Sequence, residues 1–247
     1  MVNMKRVVVI LFILFIPIES CETQSNRIEI NSAIENDKEI ETFIVPYKKN
    51  VDAQMDDVLS YSPVDYDKKN GVLNTAIGNM MADVTLKLSN PIYNTRTGNN
   101  IDFVLLNHGG IRSIISKGDI TLRSAYNIMP FENSIVVCQL KGSDLKELID
   151  YLILNKKAHP VSGISIVLDE NYSLLDVTIN GEKIDQEKVY HVATSDYLLK
   201  GGDQMNFFEK SKKNITLDYK IRNILIDYFK AVDTVSFKID NRFIIKD

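Results

Sequence analysis

Histidine is nearly absent from this chain: three in 247 residues, at His108, His159 and His191. None stands in an Asp-x-His pattern, and neither HxH nor HExxH occurs. A two-metal hydrolytic centre needs a dense set of Asp, His and Asn ligands to generate hydroxide and hold phosphoryl oxygens. No such set is visible. Asn107-His108 has the look of a Gly-Asn-His-Asp/Glu metal motif, but Leu106 replaces the glycine and Gly109 the acid. A GxSxG elbow and a Cys/His nucleophile arrangement are missing too. The expectation is therefore no catalytic residue and no metal or other cofactor site in this chain. Surplus positive charge is also lacking, with 29 basic against 33 acidic side chains. A mildly acidic protein without a basic stripe has no general attraction for nucleic acid. Repeats, low-complexity tracts and Pro/Gly-rich linkers strong enough to divide the chain are absent as well.

The N-terminus is what this composition leaves to be explained first. Lys5 and Arg6 precede an uninterrupted apolar run from Val7 to Ile16. The run is short for a membrane span and has the layout of an export signal. Ile18-Glu19-Ser20-Cys21 then resembles a bacterial lipobox, with a small residue just before the cysteine. On this reading residues 1–20 are a lipoprotein signal peptide and Cys21 becomes the lipidated N-terminus. Residues 21–31 form a tether, and residues 32–247 one domain. Contact with the membrane is through the lipid anchor alone, and the address is the periplasm or outer membrane of a bacterium. Cleavage leaves 227 residues with a charge near −5, enough chain for one sizeable core. With Cys21 acylated, Cys138 has no disulfide partner, and its apolar setting marks it as a small core residue.

Hydrophobic spacing divides the domain into helices and strands. A helix is predicted over Ser32–Ser60, with Val51, Met55, Val58 and Leu59 at helical spacing and Pro46 opening a new helix within it. Further helices are predicted over Asn74–Leu88, Leu122–Ile128, Asp144–Leu154 (capped by Ser143) and Leu217–Phe229. Strands are predicted over Ile101–Leu106, Ser134–Leu140, Gly163–Leu168, Leu174–Ile179 and Tyr190–Thr194, with a turn at Asn180-Gly181. Helices segregated from hairpins in this way point to an α+β domain with a mixed or antiparallel sheet.

Three motifs carry chemistry. Asn107-His108-Gly109-Gly110-Ile111-Arg112 follows the first predicted strand, where two glycines let main-chain N–H groups approach a ligand and Arg112 suits an anion. Pro130-Phe131-Glu132-Asn133 is the second, and Asp196-Tyr197-Leu198-Leu199-Lys200-Gly201-Gly202-Asp203 the third. Read singly, Phe131 and Tyr197 serve a core as well as a binding site, Asn133 a turn, and Asp203 a cap. Read together and in this order, the three resemble the C-terminal domain of the 5′-nucleotidase family. Ile77-Gly78-Asn79-Met80-Met81-Ala82-Asp83 is similar to a helix of that family, and the resemblance runs from about Met55 to Phe208.

The resemblance implies a nucleotide- or nucleoside-binding site. Phe131 and Tyr197 sandwich the base, Asn133 hydrogen-bonds its edge, and Asp203 accepts from ribose hydroxyls. Asn107 and Arg112 form a polar pair near ribose and phosphate. Tyr197 replaces the more frequent phenylalanine and adds a hydroxyl that needs a partner. A family arginine that points at the anionic end matches a place near Gly71, where only Lys68 and Lys69 are close by. Hydrolysis in the family belongs to a separate metallophosphoesterase domain with two divalent metals. The chain is thus expected to bind its ligand and to act with a separately encoded metallophosphoesterase. The alternative is a stand-alone nucleoside-binding lipoprotein used in scavenging.

Overall fold

The computed structural model describes residue 31 and residues 34–246. The expected export signal, Cys21 and the tether through residue 30 lie outside the described residues. The chain divides into two units, residues 1–46 and 47–247. Helix α1 (Lys38–Met55) buries none of its residues. Asp37 caps its start, its carboxylate accepting from the N–H groups of Glu39 and Ile40 at 2.9 and 3.2 Å. Pro46 lies inside α1 instead of opening a second helix.

The predicted helix stops at Met55, because Val58 and Leu59 belong to β1 (Val58–Ser62). This strand pairs antiparallel with β3 (Gly118–Thr121). Its inward residues Ser60 and Ser62 are buried serines, and their hydroxyls donate to main-chain carbonyls of Val232 and Val64. Buried polar side chains satisfied by main chain hide a strand from any reading based on hydrophobicity.

Helix α2 (Ala76–Thr97) opens on Thr75, whose hydroxyl accepts from Gly78 N–H. It runs through Pro91, well past the predicted end at Leu88, and closes at Gly98 in the left-handed region. The helix is extended because Tyr93, wholly buried, anchors its last turns in the core. Strand β2 (Phe103–Leu105), helix α3 (Leu122–Ile128), strand β4 (Ser134–Lys141) and helix α4 (Leu145–Asn155) follow. Ser143 does not cap α4. It sits in a 3-10 turn at Gly142–Asp144, and Asp144 holds the cap position without a side-chain bond.

Strands β5 (Val161–Ser162), β6 (Ile164–Leu168), β7 (Leu174–Ile179), β8 (Glu182–Lys183) and β9 (Val189–Ser195) lead to a short helix, α5 (Asp196–Leu199). Strand β10 (Asn214–Lys220), helix α6 (Ile221–Lys230) and strand β11 (Phe243–Ile245) complete the chain. Helix α6 starts four residues later than predicted. Leu217 belongs to β10, which breaks register between Thr216 and Lys220, where Asp218 takes φ 55°.

Five strands form the central sheet in the order β10-β4-β9-β2-β5, antiparallel apart from the β2–β9 pair. A second sheet runs β11-β6-β7-β8. Side chains alternate across the central sheet. Val104, Leu106, Ile135 and Val137 face one core with α2 and α6, whereas Phe103, Leu105, Cys138 and Leu140 face another with α4 and β6. Cores on both faces explain why β2 and β4 read as continuous apolar runs. Cys138 is free and fully buried, and burial pushes its thiol up to about 12. The domain is α+β with mixed and antiparallel sheets, as its sequence pattern implied.

Candidate functional site

Strand direction brings the three motifs together. β2 runs parallel to β9, so their C-terminal ends coincide. β4 runs antiparallel to β9 with Ile135 opposite Ser195, so the start of β4 lies at the same edge. Asn107 therefore leaves β2, Phe131 and Asn133 enter β4, and Tyr197 and Asp203 leave β9 at one rim of the central sheet. All six expected residues, Asn107, Arg112, Phe131, Asn133, Tyr197 and Asp203, line one cavity of about 270 Å³ together with Gly109 and Gly110. Phe131 is 41% exposed and Tyr197 43% exposed, which removes the core role for both rings.

Asp203 is the most constrained residue of the site. It holds φ 52°, in the left-handed region that non-glycine residues rarely adopt. Asn107 Nδ2 donates to its Oδ2 at 2.8 Å, and the Tyr197 hydroxyl donates to its Oδ1 at 2.8 Å. The Tyr151 hydroxyl donates to its main-chain oxygen, also at 2.8 Å. The extra hydroxyl of Tyr197 has thus found the partner it needs, and that hydrogen bond raises its pKa above the ordinary phenol value. Each Asp203 oxygen keeps acceptor capacity for a donor arriving in the cavity.

Glycine has a steric purpose here. A Cβ on Gly110 would stand 3.0 Å from Asn107 Oδ1, tighter than ordinary contact, whereas one on Gly109 would come no closer than 3.4 Å to Asn107 Nδ2. Gly110 leaves room for the asparagine that reaches Asp203. The expected role of the two glycines, offering N–H groups to a ligand, is limited at Gly110, which is buried and donates to Asn107 O at 3.0 Å. Gly202 is more demanding. A Cβ there would lie 2.5 Å from Tyr197 Cε1, so only glycine lets the ring rest on this turn.

Several supporting residues escaped the sequence reading. Arg222, at the start of α6, is buried, stacks over Tyr126 with its guanidinium 4.1 Å from the ring centroid, and donates to Pro130 O at 3.2 Å. It also pairs with Glu132, as does Lys220. Lys220 and Arg222 hold the Glu132 carboxyl down to about 2. Ile221 N–H closes the clamp by donating to Asn133 O at 3.0 Å. The loop carrying Phe131 and Asn133 is therefore pinned from its underside. Asn133 Nδ2 donates to Asp196 Oδ1 at 2.9 Å. A carboxylate only accepts, so this bond fixes which way the amide faces.

The histidines play supporting parts. Burial lowers His108, and its Nδ1 lies 3.2 Å from Ala158 O, where it must donate. His159 is 3% exposed, its Nδ1 accepts from His108 N–H at 3.3 Å, and burial pushes it down to about 4. His191 sits on β9, with Nδ1 3.2 Å from Asn100 O. Among the described residues, no group of three or more His, Cys, Asp or Glu stands where it could hold a metal ion.

The fold and cavity thus define an α+β domain that presents two exposed rings, two amides, a carboxylate and a guanidinium around one opening. Residues 57–210 match the family model described as 5′-nucleotidase, C-terminal domain, and the chain belongs to that family. The trifunctional nucleotide phosphoesterase protein YfkN of Bacillus subtilis is 27% identical over 243 residues, covering 91% of this chain and 16% of that protein. Protein UshA of Escherichia coli is 36% identical over 115 residues, covering 44% of this chain and 20% of that protein. The chain spans a small fraction of the length of these relatives. The crystal structure of a 5′-nucleotidase precursor from Thermus thermophilus superposes with a TM-score of 0.69 at 23% identity, over 86% of this chain and 44% of that one. The Haemophilus influenzae NAD nucleotidase gives 0.60 at 18% identity, over 87% and 42%. Both likenesses are of fold.

Proposed function

We propose that this chain is the ligand-binding half of a divided 5′-nucleotidase. It takes a nucleotide or nucleoside between Phe131 and Tyr197, and a separately encoded metallophosphoesterase performs the hydrolysis. Asn133 reads the base edge, Asp203 and Asn107 meet the ribose, and Arg112 faces the anionic end. The two divalent metals belong to the partner. Residues 1–20 direct export, and lipidated Cys21 holds the protein to a membrane face in the periplasm or on the outer membrane. The observation that carries the reading is the convergence of six residues from three separate motifs on one cavity, with both rings exposed. Stacking of this kind contributes about 1–3 kcal/mol per base in nucleic-acid cases, enough to hold a nucleoside when joined to polar contacts.

The test is reconstitution. The protein alone is expected to release little or no phosphate from AMP with Mg²⁺, Mn²⁺ or Zn²⁺. Adding it to metallophosphoesterases from the same genome should raise AMP turnover. If neither rate nor KM changes with any of them, the divided-enzyme reading fails. Robust metal-dependent release by the purified protein alone would also end it.

A further inference from the structure

The ladder between β2 and β5 is short: Val104 stands opposite Ser162 and Leu105 opposite Val161. One more main-chain bond follows, from Leu106 N–H to Pro160 O at 2.9 Å. At the next step toward the cavity a side chain takes over. His108 N–H donates to His159 Nδ1 at 3.3 Å, and the His108 ring returns the contact, its Nδ1 donating to Ala158 O at 3.2 Å. Asn107 lies between these anchors. Its neighbours on both sides are tied to residues 158–160, and its own amide donates to Asp203 Oδ2 at 2.8 Å.

The other end of that amide bond is braced from the same place. Tyr151 donates its hydroxyl to Asp203 O at 2.8 Å, and its ring packs on the His159 ring with centroids 5.7 Å apart. His159 therefore stands behind both partners of the Asn107–Asp203 bond, although it does not line the cavity itself.

Histidine is an awkward choice for this position on grounds of packing alone. The ring is 3% exposed. Because Nδ1 accepts, the proton of the neutral ring sits on Nε2, which meets no hydrogen-bond partner among the described residues. A buried donor left in this way costs stability, and phenylalanine would fill the space without it. What phenylalanine lacks is an acceptor for His108 N–H. Protonation would turn Nδ1 into a second donor and break the contact. Burial first, then the charges of His108 and Lys157, push the ring down to about 4 against the pull of Asp203 and the Leu106 carbonyl, so it stays an acceptor at neutral pH.

We propose that His159 is a positioning residue for the ligand: from outside the cavity it fixes the 107–110 turn so that Asn107 meets Asp203 at the wall of the slot. The proposal rests on the slot being a nucleoside site and adds a residue that acts on the ligand only through another.

Titration calorimetry with adenosine on the full chain tests it, using His159→Phe, His159→Asn, Asn107→Ala and the double variant of His159→Phe with Asn107→Ala. His159→Phe keeps a ring against Tyr151 and removes the acceptor. Adenosine affinity should fall roughly three- to tenfold, the contribution of one neutral hydrogen bond, with no loss in the thermal melt. His159→Asn carries an amide oxygen close to where Nδ1 stood and should recover most of the affinity. In the Asn107→Ala background, His159→Phe should change affinity by less than about 1.5-fold, because the group it acts through is gone. A purely structural histidine gives the reverse, a lower melt with equal affinity. Unchanged affinity in His159→Phe overturns the proposal and leaves the slot standing. Equal losses from His159→Phe with and without Asn107 overturn it as well. If the phenylalanine variant does not fold, His159→Leu, which also lacks the acceptor, takes its place in the cycle. No binding of adenosine by the unsubstituted protein at millimolar concentration removes the slot, and this role with it.

Discussion

Replacing Tyr197 in two ways separates its ring from its hydroxyl. Tyr197→Ala removes the stacking face, which costs about 1–3 kcal/mol, or roughly 5- to 150-fold in Kd. Tyr197→Phe keeps the face and deletes one hydrogen bond to Asp203 Oδ1. A bond to a charged group contributes about 1.5–3 kcal/mol when sheltered, but this ring is 43% exposed, so screening reduces it to about 1 kcal/mol. Asp203 retains Asn107 on its other oxygen and Tyr151 on its main chain. Its left-handed backbone should therefore survive, and Tyr197→Phe should weaken adenosine and AMP binding by about fivefold at most. Calorimetry with both ligands, beside thermal melts of both variants, reads the two effects apart. If Tyr197→Ala binds within about twofold of the unsubstituted protein, the ring is not a wall of the slot. If Tyr197→Ala unfolds the protein, its part was structural after all.

Three further expectations concern what holds the slot open. Arg222→Met keeps apolar bulk over Tyr126 but releases Pro130 and Glu132, so stability should fall by about 2 kcal/mol and Tm by roughly 4–8 °C. An unchanged melt would remove the clamp beneath Phe131. His159 is held neutral down to about pH 4 while the unfolded chain protonates near 6.5. Stability should accordingly fall as pH drops from 6.5 to about 4 and level off below, by up to roughly 3 kcal/mol. Denaturant titrations across that window should show a flatter profile for His159→Gln, and an identical slope would refute the assignment. Gly202→Ala forces a methyl against the Tyr197 ring. The same methyl would stand 2.6 Å from the Tyr197 main-chain oxygen, so ligand affinity and melting temperature should fall together, and an unchanged melt would refute the close approach.

The six residues of the cavity were legible because each stands in a short motif whose residue types suit one ligand. What supports them was not. Arg222 sits at the start of an apolar-periodic helix, and its partners Pro130 and Glu132 are some ninety residues away. No local pattern links such positions. Helices with one apolar face were found with their ends displaced, since Tyr93 draws α2 beyond Pro91 and β10 takes the residues expected to open α6. Strand β1 was read as helix because its inward side chains are serines whose hydroxyls are satisfied by main-chain carbonyls. Gly71 shows the opposite case. A Cβ there would stand 2.0 Å from Asn74 O, an exclusion that depends on how the chain returns, so the sequence could show that an arginine was missing but not that none could fit.

The location of every wall of the slot bears on how binding and hydrolysis divide. Asn107, Arg112, Phe131, Asn133, Tyr197 and Asp203 all issue from one edge of the central sheet, and their supports Tyr151, Asp196 and Arg222 lie in the same fold. Affinity for adenosine should therefore be present in the isolated chain and shift little when a metallophosphoesterase is added, whereas phosphate release should depend on that addition. Calorimetry on the chain alone and turnover in the mixture measure the two separately. If adenosine binds only in the mixture, the slot is incomplete as folded here, and rings from one sheet edge do not suffice to hold a base.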